Sequence, residues 1–305
     1  MKKMLVTGGT VFVSRYMAAY YVKRGYRVYT LNRGHGTQPA GVTFLKADRH
    51  DLGDKLRSEY FDVILDVTAY TASDVNFLLD ALGGFQDYIL ISSSAVYPED
   101  CPQPFTEDTP TGANKFWGGY GMEKLAAERA LSDRCPDAYI LRPPYLYGPM
   151  NNLYREAFVF DCALQDRKFY LPGEGLMNLQ FFHVHDLCRF VDILLSRKPR
   201  RHIFNVGNPE SVSILDWVTL CYEAAGKKAE FVHVPTDIEQ RNYFSFYNYA
   251  YHLDVCEQTK LMPALTPLGE GLKESLAWYL AHPEGVKKKP YMEYIDTYLQ
   301  KNGSA

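Results

Sequence analysis

The sequence predicts an α/β fold: a doubly wound parallel sheet carrying a smaller α+β lobe. Two observations lead there. Short apolar runs alternate with helical stretches through the first half of the chain, the order that lays helices on both faces of one sheet. After Gly148-Pro149 the alternation gives way to mixed elements joined by longer loops. The expected division is a first domain over 1–149 and a lobe over 150–305, with return segments near 176–210.

Met4–Thr7 opens the sheet as a short apolar strand ending in Gly8-Gly9. "MKK" ahead of apolar residues mimics a secretion signal, but Thr7-Gly8-Gly9-Thr10 interrupts the run and no small-x-small cleavage site follows, so a strand is expected. A helical pattern over Arg15–Arg24 stops at Gly25, a residue suited to the left-handed position after a helix. Strands are expected at Arg27–Leu31, Val42–Lys46, Val63–Val67, Tyr88–Ser92 and Tyr139–Arg142, with helices over Ser73–Leu82 and Tyr120–Arg134. In the lobe come a helix (Tyr154–Gln165), a strand (Lys168–Leu171), a helix (Asp186–Ser196) and a strand (His202–Val206). The last of these, in "HIFNVG", reads as a return to the main sheet. Ser213 then caps a helix running to Ala225, followed by a strand (Ala229–Val234) and helices near 254–261 and 267–281. The tail after Pro290, "YMEYIDTYLQKNGSA", reads either as a docked amphipathic helix or as a frayed end.

Composition narrows the function classes. Hydrophobic content of 47% and charged content of 23% are those of a soluble globular protein. A net charge of −3 gives no clustered positive field for nucleic acid, and the runs "SRKPRR" and "KKK" read as solvated turns. The six cysteines are scattered without C-x-x-C or His/Cys metal spacing, so no metal is expected and reduced thiols in a cytoplasmic protein are. No stretch reaches the ~18 apolar residues that would cross a bilayer.

Gly8-Gly9, lying between a strand and a helix, form the kind of turn that offers backbone N–H groups and a helix amino end to an anion. The usual dinucleotide spacing would want glycine at 11 and 14, where this chain has Val11 and Ser14. The loop Gly8, Gly9, Thr10, Val11, Phe12 and Val13 is still expected to hold a cofactor, with a shifted pyrophosphate or reduced affinity. Asn32 ends the second strand where NAD-binding folds commonly carry an acid, and Arg33 follows, so NAD or NADP is expected with a lean to NADP. "YGMEK" sets Tyr120 and Lys124 one helical turn apart. A phenol working as acid or base near neutrality needs a shift of roughly 3 units, about 4 kcal/mol, which a neighbouring ammonium helps to supply. The strand end "YILISSSAVY" presents Ser92, Ser93 and Ser94 at the sheet's carboxyl edge, where a hydroxyl can bond a substrate oxygen.

In order and spacing, "VTGGT", "DVILDVTAY", "ISSSAVY", "YGMEKLAAE", "LRPPYLYGP", "FFHVHDL", "FNVGNPESVS" and "PLGEGLKESLAWYL" resemble the extended and atypical short-chain dehydrogenase/reductases, the NAD(P)-dependent sugar epimerase/dehydratase type. The likeness runs from about residue 3 to about 282 and implies a Rossmann sheet with a substrate lobe. It is greatest to an atypical subgroup with a G-G-x-x-x-x-G loop, which also resembles chloroplast stem-loop RNA-binding proteins. The resemblance implies Tyr120 as acid/base, Lys124 as its electrostatic partner and nicotinamide-ribose ligand, and Ser93 as the aligned hydroxyl. It also implies cofactor contacts from Asp48 and Pro143, with Thr68, Ala69 and Tyr70 along the cofactor path, and substrate contacts from Ser94, Tyr145, Gln180 and Tyr247.

Nucleotide-sugar members clamp a diphosphate with arginines; the corresponding positions here are Leu179 and Tyr247. Arg155, Arg241 and Lys168 are the possible substitutes. The expected activity is epimerisation or reduction of a sugar-like hydroxyl or ketone by hydride transfer. Dehydration ranks lower, because Ala95 offers no acid pair. A homodimer through helices flanking the sheet is the family's habit. An RNA-associated protein and a non-catalytic NADP-binding regulator are the alternatives.

Overall fold

The computed structural model describes residues 1–300. Seven strands form the main sheet: β1 (Lys3–Thr7), β2 (Arg27–Asn32), β3 (Thr43–Lys46), β4 (Tyr60–Asp66), β5 (Gly84–Ile91), β6 (Tyr139–Arg142) and β11 (Ile203–Asn205). Their order is β11-β6-β5-β4-β1-β2-β3, with every pairing parallel. The chain therefore builds outward from β1 to β3, then restarts on the other side of β1 with β4. Ligands settle in the crevice left at such a reversal. The return of "HIFNVG" to the sheet is realised as β11 beside β6.

Strands covered on both faces read as unbroken apolar runs, because neither side meets water. Met4, Leu5 and Val6 of β1 are all fully buried, and they split by parity. Met4 and Val6 pack with α1 (Phe12–Lys23) and α5 (Val184–Arg197), while Leu5 packs with α2 (Ala72–Ala81) and α3 (Gly119–Arg134). Thr71 caps α2 and closes a reciprocal capping box with Asp74, which fixes where the loop after β4 ends.

The lobe has a separate, aromatic core. It is built from α4 (Glu156–Leu164), α6 (Ile214–Ala224), α8 (Leu268–Ala281) and paired short strands β7 (Tyr145–Tyr147) with β10 (Phe181–His183), β8 (Phe169–Pro172) with β13 (Phe231–Val234), and β9 (Asn178–Leu179) with β12 (Val212–Ser213). Trp217 stacks on Phe181 at 5.6 Å near its centre. Ser213 caps α6 as expected, accepting from the Asp216 amide. Helix α7 (Cys256–Leu261) and the tail complete the chain. The tail is docked: α9 (Tyr291–Tyr294) lays Tyr291 parallel to Tyr154, and Ile295 joins the lobe core. The last five residues of that tail lie outside the described part. All six cysteines are free thiols, and among the described residues no helix is long and apolar enough to cross a membrane.

Candidate active site

A cleft of about 720 Å³ opens at the carboxyl ends of β1, β4, β5 and β6. One wall comes from Val11–Ser14 after β1 and from Val67, Thr68 and Tyr70 after β4. The floor comes from Ile91–Ala95 after β5 and Pro143–Leu146 after β6. Tyr120 and Lys124 of α3 enter from the side, and the far end is closed by Phe116, Trp117, Arg155, Tyr247 and Tyr251.

The altered glycine loop keeps its turn. Gly8 and Gly9 have φ of +85° and +96°, and a Cβ on either would lie within 3 Å of Thr68 or Thr30, so only glycine fits both. Ser14 folds back, its Oγ donating to the Val11 carbonyl at 2.9 Å, and Val11 stands half exposed on the cleft wall. Helix α1 starts with no side-chain cap and no acid in its first turn. Phe12 opens it at φ +33°, a conformation that costs a bulky residue about 1–3 kcal/mol and that gathers at functional positions. An uncapped helix end behind a tight glycine turn, with no carboxylate in its first turn or lining the cleft, fits the pyrophosphate of a dinucleotide.

Gly121 sets α3 against the serine turn. A Cβ at this position would lie 2.1 Å from the Ala95 carbonyl oxygen, so the helix rests directly on backbone. That contact brings Tyr120 to Ser93. The Ser93 hydroxyl caps the 94–96 turn, accepting from the Ala95 amide at 3.2 Å, and shares the cleft wall with the Tyr120 phenol. Capping and site roles thus coexist in one side chain. Burial raises the Tyr120 pKa above its usual 10, and the neighbouring Ser93 hydroxyl pulls against that rise. Ser92 is structural, donating to Glu128. Ser94 donates to the Tyr251 hydroxyl at 3.1 Å.

Lys124 departs from expectation. It shares the cleft with Tyr120, but its ammonium donates to the carbonyls of Ala69 at 2.7 Å and Ile91 at 2.9 Å and lies 4.8 Å from the Tyr70 ring centre. The charge is therefore directed at the ends of β4 and β5 and not at the phenol. Burial lowers its pKa from 10.5 to about 8. Between those values the unfolded chain binds the proton and the native chain does not, so stability from this group rises with pH from about 8 to about 10.5 and is lowest below that window. Comparing urea unfolding of the parent and Lys124→Met at about pH 7 and about pH 10 checks this. The parent should gain about 2–3 kcal/mol over the variant on going to high pH.

Other expected residues fall outside the cleft. Gln180 is fully buried behind it: its amide donates to Asn208 and Leu253 carbonyls and accepts from the Leu253 amide, leaving nothing for a substrate. Asn32 is consumed by the loop itself, donating to the Gly8 carbonyl at 2.6 Å and accepting from the Gly34 amide. Asp48 is exposed and accepts from the His50 amide, Ala69 is buried and serves Lys124 through its carbonyl, and Thr10 packs beside Gly36. Arg33 is exposed beyond the cleft rim. Of the suggested cations, Lys168 pairs with Glu230 on the surface and Arg241 covers the outer face of Tyr247. Arg155 alone of the three lines the cleft. The residues that sequence reasoning missed include Phe116, Trp117, Asn152, Leu153 and Tyr251 at the far end, and Val67, Ile91 and Leu146 along the strand ends. "FWGGYGMEK" was the one local signal, placing two rings just ahead of Tyr120.

A model of the NAD dependent epimerase/dehydratase family matches residues 4–207. The chain is 30% identical over 252 residues to the chloroplast stem-loop binding protein of 41 kDa b of Arabidopsis thaliana, covering 76% of this chain and 66% of that protein's length. It is 26% identical over 270 residues to the UDP-glucose 4-epimerase of Corynebacterium glutamicum, covering 73% of this chain and 80% of the relative. In fold it resembles UDP-glucose 4-epimerase of Thermotoga maritima, solved with UDP-glucose, with a TM-score of 0.77 at 18% identity over 92% of this chain and 99% of that one. It also resembles dTDP-glucose 4,6-dehydratase of Bacillus anthracis, solved with NAD, with a TM-score of 0.74 at 18% identity over 94% and 99% of the two chains.

Proposed function

The chain belongs to the NAD dependent epimerase/dehydratase family, and from that membership and the cleft chemistry we propose that it moves a hydride at a hydroxyl-bearing or keto carbon of a sugar-like substrate. The observation that carries this reading is the meeting of Tyr120 and Ser93 at the sheet's mouth, between the glycine loop and an aromatic end. Bound NAD(P) would accept and return the hydride. Gly8, Gly9, Val11, Phe12 and Val13 would hold its pyrophosphate, with Thr68, Tyr70 and Pro143 along its path and Lys124 beneath its ribose.

With a pKa above 10, Tyr120 keeps its proton on Oη at neutral pH and enters the reaction as an acid toward a carbonyl oxygen. Ser93 donates to that same oxygen and orients it. In the reverse direction Tyr120 takes the proton back. The cleft lining carries no carboxylate among the described residues, which favours epimerisation or reduction over dehydration. In this reading residues 1–149, with the 176–210 return, serve the cofactor and 150–305 the substrate. The protein would work as a cytoplasmic homodimer through α2 and α3, whose Phe77 and Met122 stand exposed. Loss of reduced-nicotinamide absorbance with a panel of sugars and sugar nucleotides (reduction), or isotope exchange at the reacting carbon without net absorbance change (epimerisation), supports the reaction; neither change across the panel counts against it. Salt-dependent RNA binding without turnover would favour the reading suggested by the stem-loop binding relative.

For the cofactor we favour NADP. No acid stands at Asn32 to repel a 2′-phosphate, and Arg33 makes no ion pair among the described residues. An exposed pair of this kind is worth under about 1 kcal/mol. Arg33→Ala should therefore weaken NADPH binding about three- to fivefold and leave NADH unchanged, by calorimetry.

A further inference from the structure

We propose that the far end of the cleft is a subsite for a single oxyanion on a sugar-like substrate, held by Arg155 and the Tyr145 hydroxyl, and is not built for a nucleoside diphosphate. The inference rests on the cleft being a substrate site. Lys124 and Arg155 are the only cations lining it, and no acid lines it among the described residues. Lys124 is already committed to two backbone carbonyls. The Arg155 guanidinium has no ion pair and no side-chain hydrogen bond among the described residues. It is held only over the rings of Tyr145 at 5.0 Å and Phe246 at 5.6 Å. A half-buried guanidinium with its fork of donors unused matches the geometry of a phosphate or carboxylate.

The second observation is independent of the charge. Tyr145 is 6% exposed and its hydroxyl has no hydrogen-bond partner, although it lines the cleft. Buried hydroxyls are nearly always paired, because leaving one unpaired costs about 1–3 kcal/mol. The hydroxyl is shielded in this structure, with Arg155 lying over the ring, so a ligand oxygen that draws the guanidinium toward the cleft would meet that donor. Around it, Trp117 stands edge-on to Tyr247 at 5.5 Å and to Tyr251 at 6.2 Å, giving apolar walls for the substrate's C–H faces. Leu179 is buried and Tyr247 carries no charge, so a diphosphate would place two or more negative charges against one free guanidinium.

The test is calorimetry on the NADP-loaded protein with inorganic phosphate, glucose 1-phosphate, glucuronate, methyl glucoside and UDP-glucose. At least one singly functionalised anion should bind about tenfold or more tightly than methyl glucoside, and UDP-glucose should gain nothing over glucose 1-phosphate. Arg155→Ala should remove the preference for the anion, Arg155→Lys should restore only part of it, and Tyr145→Phe should weaken anion binding about three- to fivefold. The phosphate and carboxylate arms say which oxyanion the site takes. The proposal is overturned if methyl glucoside binds as well as the anions, if Arg155→Ala keeps the preference, if UDP-glucose binds tenfold tighter than glucose 1-phosphate, or if no anion binds saturably. The readout is separate from turnover: Tyr120→Phe should keep the anion preference even if no hydride transfer is ever found.

Discussion

Tyr120→Phe should lower kcat by about 10²–10⁴-fold while leaving NAD(P) affinity within about twofold. The substitution removes one oxygen and keeps the ring. Its neighbour Tyr70, 6.3 Å away between centroids, loses nothing in packing, and Gly121 still seats the helix on the Ala95 carbonyl. What disappears is the phenol hydroxyl that shares the mouth of the sheet with Ser93. Ser93→Ala should cost less, about tenfold, because it removes a donor and not the proton source. The double variant should be little worse than Tyr120→Phe alone, since groups that act as a unit are not additive. Steady-state kinetics with a parallel cofactor titration decides the matter. Turnover that survives in Tyr120→Phe would remove the phenol from the mechanism.

The largest stability effect is expected at Arg142. Its guanidinium meets Glu128 at 2.6 Å, with both side chains about 4% exposed. It also donates to the Tyr97 hydroxyl at 2.8 Å, which in turn donates to Asn205 at 2.7 Å, while Ser92 donates to Glu128. The network ties α3 to the ends of β5, β6 and β11, directly beneath the serine turn at 92–94. Arg142→Ala strands a buried carboxylate and should cost about 3–5 kcal/mol, visible as a melting temperature lower by roughly 10 °C. The double replacement Arg142→Met with Glu128→Leu should recover most of that loss, because a buried pair cancels much of its attraction by desolvation. A loss in the double variant as large as in the single would show that the polar bonds to Tyr97 and Ser92 matter more than the charge pair.

Most of the sheet was legible because its central strands are apolar on both faces, as in Met4-Leu5-Val6, and Gly8, Ser92 and Pro143 follow β1, β5 and β6. The serine run and the Tyr120–Lys124 spacing were legible for the same reason: both signals are local. The aim of Lys124 was not, since its acceptors are carbonyls of Ala69 and Ile91, 55 and 33 residues away. Gln180 looked available because its saturation comes from Asn208 and Leu253, 28 and 73 residues on. The three-residue strands Tyr145–Tyr147 and Phe181–His183 are too short for any periodicity to mark. The aromatic end is assembled from Trp117, Tyr145, Tyr247 and Tyr251, which no window of sequence contains together.

The bare contact at Gly121 works as a ruler. With only main-chain atoms between helix and turn, the gap between phenol and serine is independent of which side chains furnish the rest of the cavity. A lineage could rewrite the loops around 116 and 247 for new molecules while that gap stayed constant. Any residue larger than glycine at 121 would lift the helix and stretch the gap whatever else was improved, so changes of appetite are cheap in this scaffold and changes of chemistry are not.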